Sequence, residues 1–152
     1  GYIEMMKPLK EKTPKNAERP YKQVLKRLRS VGLRPTRQRM ALAKLLFEGP
    51  DRHVTAEILH AEAQAASIRV SLATVYNTLH QFTTAGLLRE IIVDSQRSYF
   101  DTNISDHHHF FFEGSGELKD IPGDQVVVAG LPAPPPGMAV KRVDIVVRVQ
   151  IE

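Results

Sequence analysis

The sequence predicts an α+β chain, an N-terminal winged helix-turn-helix followed by a small α/β dimerisation domain. Three observations lead there. Up to Thr84 the apolar residues recur at helical spacing, interrupted by Gly and Pro. From Leu87 the period becomes that of strands, with a polar four-residue turn between two runs. Beyond Thr102 the chain turns to short runs of β-branched and aromatic residues punctuated by Gly and Pro. The 152 residues divide on this reading into an arm over 1–18, a winged-helix domain over 19–102 and a second domain over 103–152.

Residues 1–18 mix Lys, Glu and Pro without an apolar period, as a mobile arm does. Gly1–Glu4 precede two Met residues and carry no signal for the fold. A first helix is expected from Tyr21 to Val31, with Val24, Leu25, Leu28 and Val31 on one side and Gly32 ending it. Pro35 disfavours helix at Arg34. Thr36 then caps a second helix whose apolar residues are Met40, Leu42, Leu45, Leu46 and Phe47, stopped by Gly49-Pro50.

Thr55 caps a third helix over Ala56–Ala66, with Ile58 and Leu59 expected inward. Ser71 caps a fourth, whose stripe of Leu72, Val75, Leu79 and Phe82 faces the core until Gly86 closes it. Leu87–Val93 and Ser98–Thr102 make a hairpin about Asp94–Arg97. In the second domain, strands are expected at Phe110–Phe112, Gln125–Ala129 and Val143–Val149. The prolines of Leu131–Gly137 exclude a helix interior there. About fifty residues make a small sheet with open edges, which favours pairing with a second copy.

Residues 1–52 carry 14 Lys and Arg against 5 Asp and Glu, a net +9 within a chain of net +4. A basic first third suits a polyanionic partner. The chain has no cysteine, which excludes disulfides, thiolate metal sites and a Cys nucleophile. No run of apolar residues is long enough to cross a bilayer, and no secretory leader is visible, so a cytoplasmic protein is expected.

The fourth helix turns Ala73, Thr74, Tyr76, Asn77 and His80 away from its stripe. Small and hydrogen-bonding residues at a helix N-terminus, Ser71 and Thr74 among them, suit entry into the major groove of double-stranded DNA. Asn can pair bidentately with adenine, and Tyr can reach a phosphate or stack. Arg34, Arg37 and Arg39 cluster with Thr36 where phosphates would be held, and Arg97 sits on the hairpin tip as a wing residue.

Asp106-His107-His108-His109 is the sharpest chemical signal. On a strand, His107 and His109 share one face, their Cα atoms about 7 Å apart, and His108 points to the other. Asp101 is the nearest preceding carboxylate, and His53 is a candidate from the first domain. A nitrogen and oxygen donor set suits Zn²⁺, Fe²⁺ or Mn²⁺. His108 is left for another site or a haem iron.

Three segments then converge. Leu33-Arg34-Pro35-Thr36-Arg37-Gln38-Arg39, Val70-Ser71-Leu72-Ala73-Thr74-Val75-Tyr76-Asn77-Thr78-Leu79 and Asp106-His107-His108-His109-Phe110 together resemble the ferric uptake regulator (Fur) superfamily over residues 20–120. The lack of cysteine, the triple His and the Pro-rich C-terminal stretch resemble its Irr (iron response regulator) branch of α-proteobacteria.

The resemblance implies a homodimer or a tetramer binding promoter DNA, with no membrane partner and no enzymatic activity. DNA contacts carry over to Arg34, Tyr76 and Asn77. A hinge metal site carries over to His53, Asp101, His107 and His109, with Asp120 as a fifth ligand. Phe112 and Ser115 stand where the family's first Cys pair would be, so no structural zinc is expected. Haem regulation would rest on His107, His108 and His109, since no Cys-Pro motif is present. The alternative is a Zn²⁺- or Mn²⁺-responsive regulator without haem.

Overall fold

The computed structural model describes residues 21–152, so the arm expected over 1–18 lies outside the described residues. The chain forms two compact units. One comprises the described residues up to Glu90 together with Tyr99–Asn103, and the other comprises Ile91–Ser98 and Ile104–Glu152.

The first unit begins with α1 through residues 21–30. There follow α2 (Arg37–Phe47), the two-residue strand β1 (His53–Val54), α3 (Ala56–Ala65) and α4 (Leu72–Thr84). Strands β2 (Arg89–Asp94) and β3 (Arg97–Asp101) form the wing hairpin, and β1 pairs antiparallel with β3 in the order β1-β3-β2. Each of α2, α3 and α4 starts on a hydroxyl cap, as expected: Thr36 accepts from the Arg39 amide, Thr55 from Ile58 and Ser71 from Thr74. Gly32 and Gly86 hold left-handed backbone, at φ 77° and 85°. Their followers Leu33 and Leu87 donate back to the carbonyls of Leu28 and Phe82, a helix ending that a residue with Cβ resists. The fully buried Leu28, Leu42, Leu59, Val75, Leu79, Phe82 and Phe100 form the core, drawn from all four helices and β3.

Arg52 ties the entry of β1 to α3. Its guanidinium donates to both carboxylate oxygens of Glu62, one at 2.9 Å, and its backbone N–H donates to the Thr102 hydroxyl at 2.8 Å. The register of β1 against β3 is thus pinned immediately before His53.

Two residues expected in the core lie outside it. Ile58 is 44% exposed and Leu72 is 40% exposed. The inward stripe of α3 is Ala56, Leu59 and Ala63, and Ile58 stands one residue, about 100°, off it. Leu72 is the first residue of α4, ahead of the stripe of Val75, Thr78, Leu79 and Phe82.

The second unit is built on β4 (His107–Phe112), with β5 (Leu118–Pro122) antiparallel on one side and β6 (Val146–Val149) parallel on the other. A 3-10 turn (Gly123–Gln125) follows β5. Phe111 is fully buried, with Ile91, Val93 and Ile121 buried in the same unit. The Arg97 and Arg148 guanidinium carbons lie 4.7 Å and 5.4 Å from the Phe111 ring centroid.

The strand expected at Gln125–Ala129 does not form. Gln125 belongs to the 3-10 turn, and residues 126–129 pair with no strand among the described residues, the sheet having the order β5-β4-β6. Val127 is accordingly 87% exposed. The last expected strand shortens to β6, and β1 and β5 form where none was expected. The Pro-rich stretch Leu131–Gly137 is exposed and irregular. Among the described residues, no helix is long and apolar enough to cross a membrane.

Candidate metal centre and nucleic-acid interface

In the first unit, Ser71 starts α4 by accepting from the Thr74 amide at 3.1 Å and donating its hydroxyl proton to Thr74 Oγ1 at 2.9 Å. The Ser71 side chain is therefore spent on the cap, while the Thr74 hydroxyl accepts from it and keeps its own proton to donate. Ala73, Tyr76 and Asn77 lie exposed on the opposite side from the buried stripe. His80 does not share that openness. It is half-buried, its ring 4.9 Å from Tyr76 and 5.4 Å from Phe100, so it braces Tyr76 against β3.

Arg34 and Arg37 are exposed at the start of α2. Arg39 is placed differently. Its guanidinium donates to Gln81 Oε1 at 3.0 Å and 3.2 Å and to the Arg34 carbonyl at 3.0 Å. In the second unit, Arg97 donates to Asp94 at 2.6 Å and 2.9 Å while lying over Phe111. That pair, with the Gln96 amide, holds the Asp94 carboxyl below the ordinary carboxylate range.

The metal-ligand candidates fall into two half-sites, one in each unit. In the first unit, His53 and Asp101 face each other across β1 and β3, and His53 Nε2 lies 3.2 Å from Asp101 Oδ2. Asp101 is 1% exposed, and its other oxygen accepts from the Asn103 amide at 2.9 Å.

In the second unit, His107 and His109 project from one face of β4 and are buried, with ring centroids 4.6 Å apart. Their Nε2 atoms lie 3.6 Å and 3.4 Å from the same oxygen of Asp120, which β5 places opposite His109. His107 Nδ1 is 2.6 Å from the Ser105 carbonyl, so Nδ1 carries the proton and Nε2 offers its lone pair. His108 points to the other face, and its Nδ1 accepts from the Ile145 amide at 3.2 Å.

The strand alternation expected for the three histidines is therefore present. Asp120 joins His107 and His109 more closely than sequence spacing could show, because its position depends on β5.

These donors fit a divalent ion. Imidazole nitrogens and carboxylate oxygens, most of them buried, form a set for borderline or hard cations, and no thiolate is present. Such a set, carried on a winged-helix fold with an exposed recognition-helix face, defines a metal-responsive DNA-binding regulator. Residues 30–131 match the model of the ferric uptake regulator family, and the chain belongs to that family. Members of the family are transcription regulators and not enzymes.

Among curated proteins, the chain is similar to the peroxide operon regulator of Bacillus subtilis (strain 168). The two are 34% identical over 100 residues, 66% of this chain and 68% of that protein. It is also similar to the peroxide-responsive repressor PerR of Staphylococcus aureus (strain Mu50), 32% identical over 94 residues, 62% of this chain and 63% of the repressor. The match thus spans about two thirds of the length of these relatives.

Among solved structures, the ferric uptake regulator of Pseudomonas aeruginosa with manganese superposes with a TM-score of 0.63 at 24% identity, covering 84% of this chain and 96% of that one. The Vibrio cholerae ferric uptake regulator gives 0.64 at 19%, covering 83% and 98%. At these identities the likeness is one of fold.

Proposed function

We propose that the protein is an iron-responsive regulator that binds operator DNA as a homodimer, with His53, Asp101, His107, His109 and Asp120 holding one divalent ion. The observation that carries this reading is the pair of half-sites. A carboxylate as buried as Asp101 is stabilised by a neighbouring cation. In the second unit, two imidazole nitrogens converge on one Asp120 oxygen with His107 already in the ligating tautomer. Residues 102–106 join the half-sites, a link of at most about 20 Å when extended.

When bound, the ion would supply a cross-link between residues 19–102, taken as the DNA-binding domain, and residues 103–152, taken as the dimerisation domain. The protein's own groups do the rest. Ser105 and Asp120 orient His107, β1 and β3 hold His53 against Asp101, and the dimer sets two copies of α4 about one helical turn of DNA apart. Fixing the angle between domains changes DNA affinity by the difference in ion affinity between the free and DNA-bound arrangements. On α4, Asn77 reads a base edge and Tyr76 reaches a phosphate or stacks; Arg34 and Arg37, with the capped start of α2, hold phosphates.

The finer reading is haem response, as in the Irr branch. His107 and His109 are turned to Asp120, which leaves His108 as the ligand candidate on the opposite face. That face also bears Phe110 and Phe112, by strand alternation. An apolar hollow of about 790 Å³, lined by these two residues with Val149, Ile151 and Lys119, lies in the same unit. Apolar walls with a cation suit a flat macrocycle bearing carboxylates.

A second reading, peroxide response, is favoured by the names of the relatives in Bacillus and Staphylococcus. Operator binding by the chelated protein, repeated with Mn²⁺, with Fe²⁺ plus peroxide and with haem, separates the readings. Release by haem that is lost in His108→Ala supports the first. Release only by peroxide supports the second. Indifference to every metal overturns both.

A further inference from the structure

Arg39 lies in the cluster that the sequence assigns to phosphate binding, yet its guanidinium already has protein partners. Two of its nitrogens converge on Gln81 Oε1, at 3.0 Å and 3.2 Å, and a third contact reaches the Arg34 carbonyl at 3.0 Å. Gln81 lies in the C-terminal half of α4, Arg34 precedes the Pro35 turn, and Arg39 is in the first turn of α2. One planar fork therefore joins three pieces of backbone, all within the first unit.

Gln81 is exposed and Arg39 half-buried, so neither is fixed by the hydrophobic core. The buried stripe of α4 sets how deep the helix sits, and its Tyr76 and His80 rings pack against Phe100 on β3. The Arg39 fork acts at the edge of that stripe, where it sets the roll of the helix relative to the start of α2.

We propose that Arg39 and Gln81 form a clamp that positions α4 for base reading, with Arg39 acting through Gln81 and not through a phosphate. The clamp also holds the carbonyl of Arg34 and so orients the exposed Arg34 side chain beside α2. This rests on the reading of α4 as the helix that enters the groove. An exposed hydrogen-bonded pair of this kind is worth a factor of about three to ten. That factor is expected in the ratio of specific to non-specific DNA affinity. Roll of the helix affects base edges, whereas backbone attraction depends on charge.

The test is operator and random-sequence DNA binding by the full chain, across a salt series, with thermal unfolding alongside. Gln81→Ala removes the acceptor and leaves every charge in place. Arg39→Lys keeps the charge and loses the fork. Both variants are expected to lose discrimination about three- to tenfold, with salt slope, random-sequence binding and Tm unchanged. The double variant is expected to lose no more than either single one. Gln81→Glu preserves an acceptor for the fork and is expected to retain discrimination.

A phosphate role for Arg39 gives the opposite pattern. Gln81→Ala and Arg39→Lys would then match the wild type, while Arg39→Gln would lower the salt slope by about one and weaken all DNA alike. That pattern overturns the clamp. Failure of the wild-type chain to discriminate any operator from random DNA overturns instead the assignment of α4.

Discussion

His53 and Asp101 stand directly opposite each other across β1 and β3, with His53 Nε2 3.2 Å from the Asp101 carboxylate. A strand of two residues forms here where Arg52 and Thr102 pin it, and it brings together one half of the proposed metal site. Both residues were named as ligand candidates from the sequence, but their pairing across β1 and β3 appears only in three dimensions, since 47 residues separate them in the chain.

Asp101→Asn keeps the shape of the side chain and removes its charge. Affinity for Mn²⁺ is expected to fall at least 10- to 100-fold, the loss typical of an outer-shell partner and a lower bound for a ligand. The metal-free protein should not lose stability in proportion, because a buried carboxylate in the absence of a cation is costly. Calorimetric titration with thermal unfolding of the metal-free form checks both parts.

Gly123→Ala tests the backbone that supports His107. A Cβ at residue 123 would stand 2.8 Å from the Asp106 carbonyl oxygen, closer than real contacts allow. The Asp106 segment must then shift, at a cost of about 1–3 kcal/mol. Because Asp106 adjoins His107, metal affinity is expected to fall along with Tm. A lower Tm with unchanged metal affinity would confine the strain to the turn.

Asn77→Ala and Arg34→Ala should fail differently. Asn77 is exposed on α4, and its loss is expected to relax discrimination at one base pair by about 1–3 kcal/mol. Arg34 is exposed ahead of α2. Its loss should weaken binding to all sequences and reduce the salt slope by about one. Competition binding against single-base operator variants separates the two.

The Asp94–Arg97 pair gives the wing a pH dependence of known sign. The carboxyl is held below its ordinary value chiefly by the Arg97 guanidinium, so its contribution is present above the unfolded pKa and is lost as pH falls through the folded one. The group is exposed, so the effect on global stability is small. Carboxyl chemical shifts should show Asp94 titrating below the usual carboxylate range, and Arg97→Ala should move it back toward that range, with the Gln96 amide still holding part of the shift.

Phe111→Ala removes the buried ring that the Arg97 and Arg148 guanidinium groups approach in the second unit. A loss of about 3–5 kcal/mol is expected, from the cavity and the lost transfer energy together. Denaturant unfolding measures it.

The winged-helix half was legible because its signals are local. Hydroxyl caps at Thr36, Thr55 and Ser71 and stops at Gly32 and Gly86 act within a few residues, and the structure uses each of them. Ile58 and Leu72 were misplaced because position relative to a stripe or a helix end decides burial, not hydrophobicity alone.

The second unit was less legible because its order is non-local. β6 pairs with β4 across more than thirty residues, a partner that no local pattern names, while Gln125–Ala129, equally strand-like in composition, forms no strand. The same dependence hid the convergence of Asp120 on His107 and His109, which β5 creates. The histidines themselves were legible, because strand alternation follows directly from three in succession. Two on one face and one on the other was expected from alternation and is present; the Asp120 oxygen on the first face and the Ile145 amide on the second are what the structure adds.

The most direct test of the account is Mn²⁺ binding by the chelated full chain, followed by stoichiometry and by two variants, His53→Ala and His109→Ala. The two half-sites sharing one ion predict a single tight ion per protomer, lost in both variants together with metal-dependent operator binding. Retention of tight Mn²⁺ binding in His53→Ala, with its loss only in His109→Ala, would contradict a shared site and leave the ion on the second unit alone.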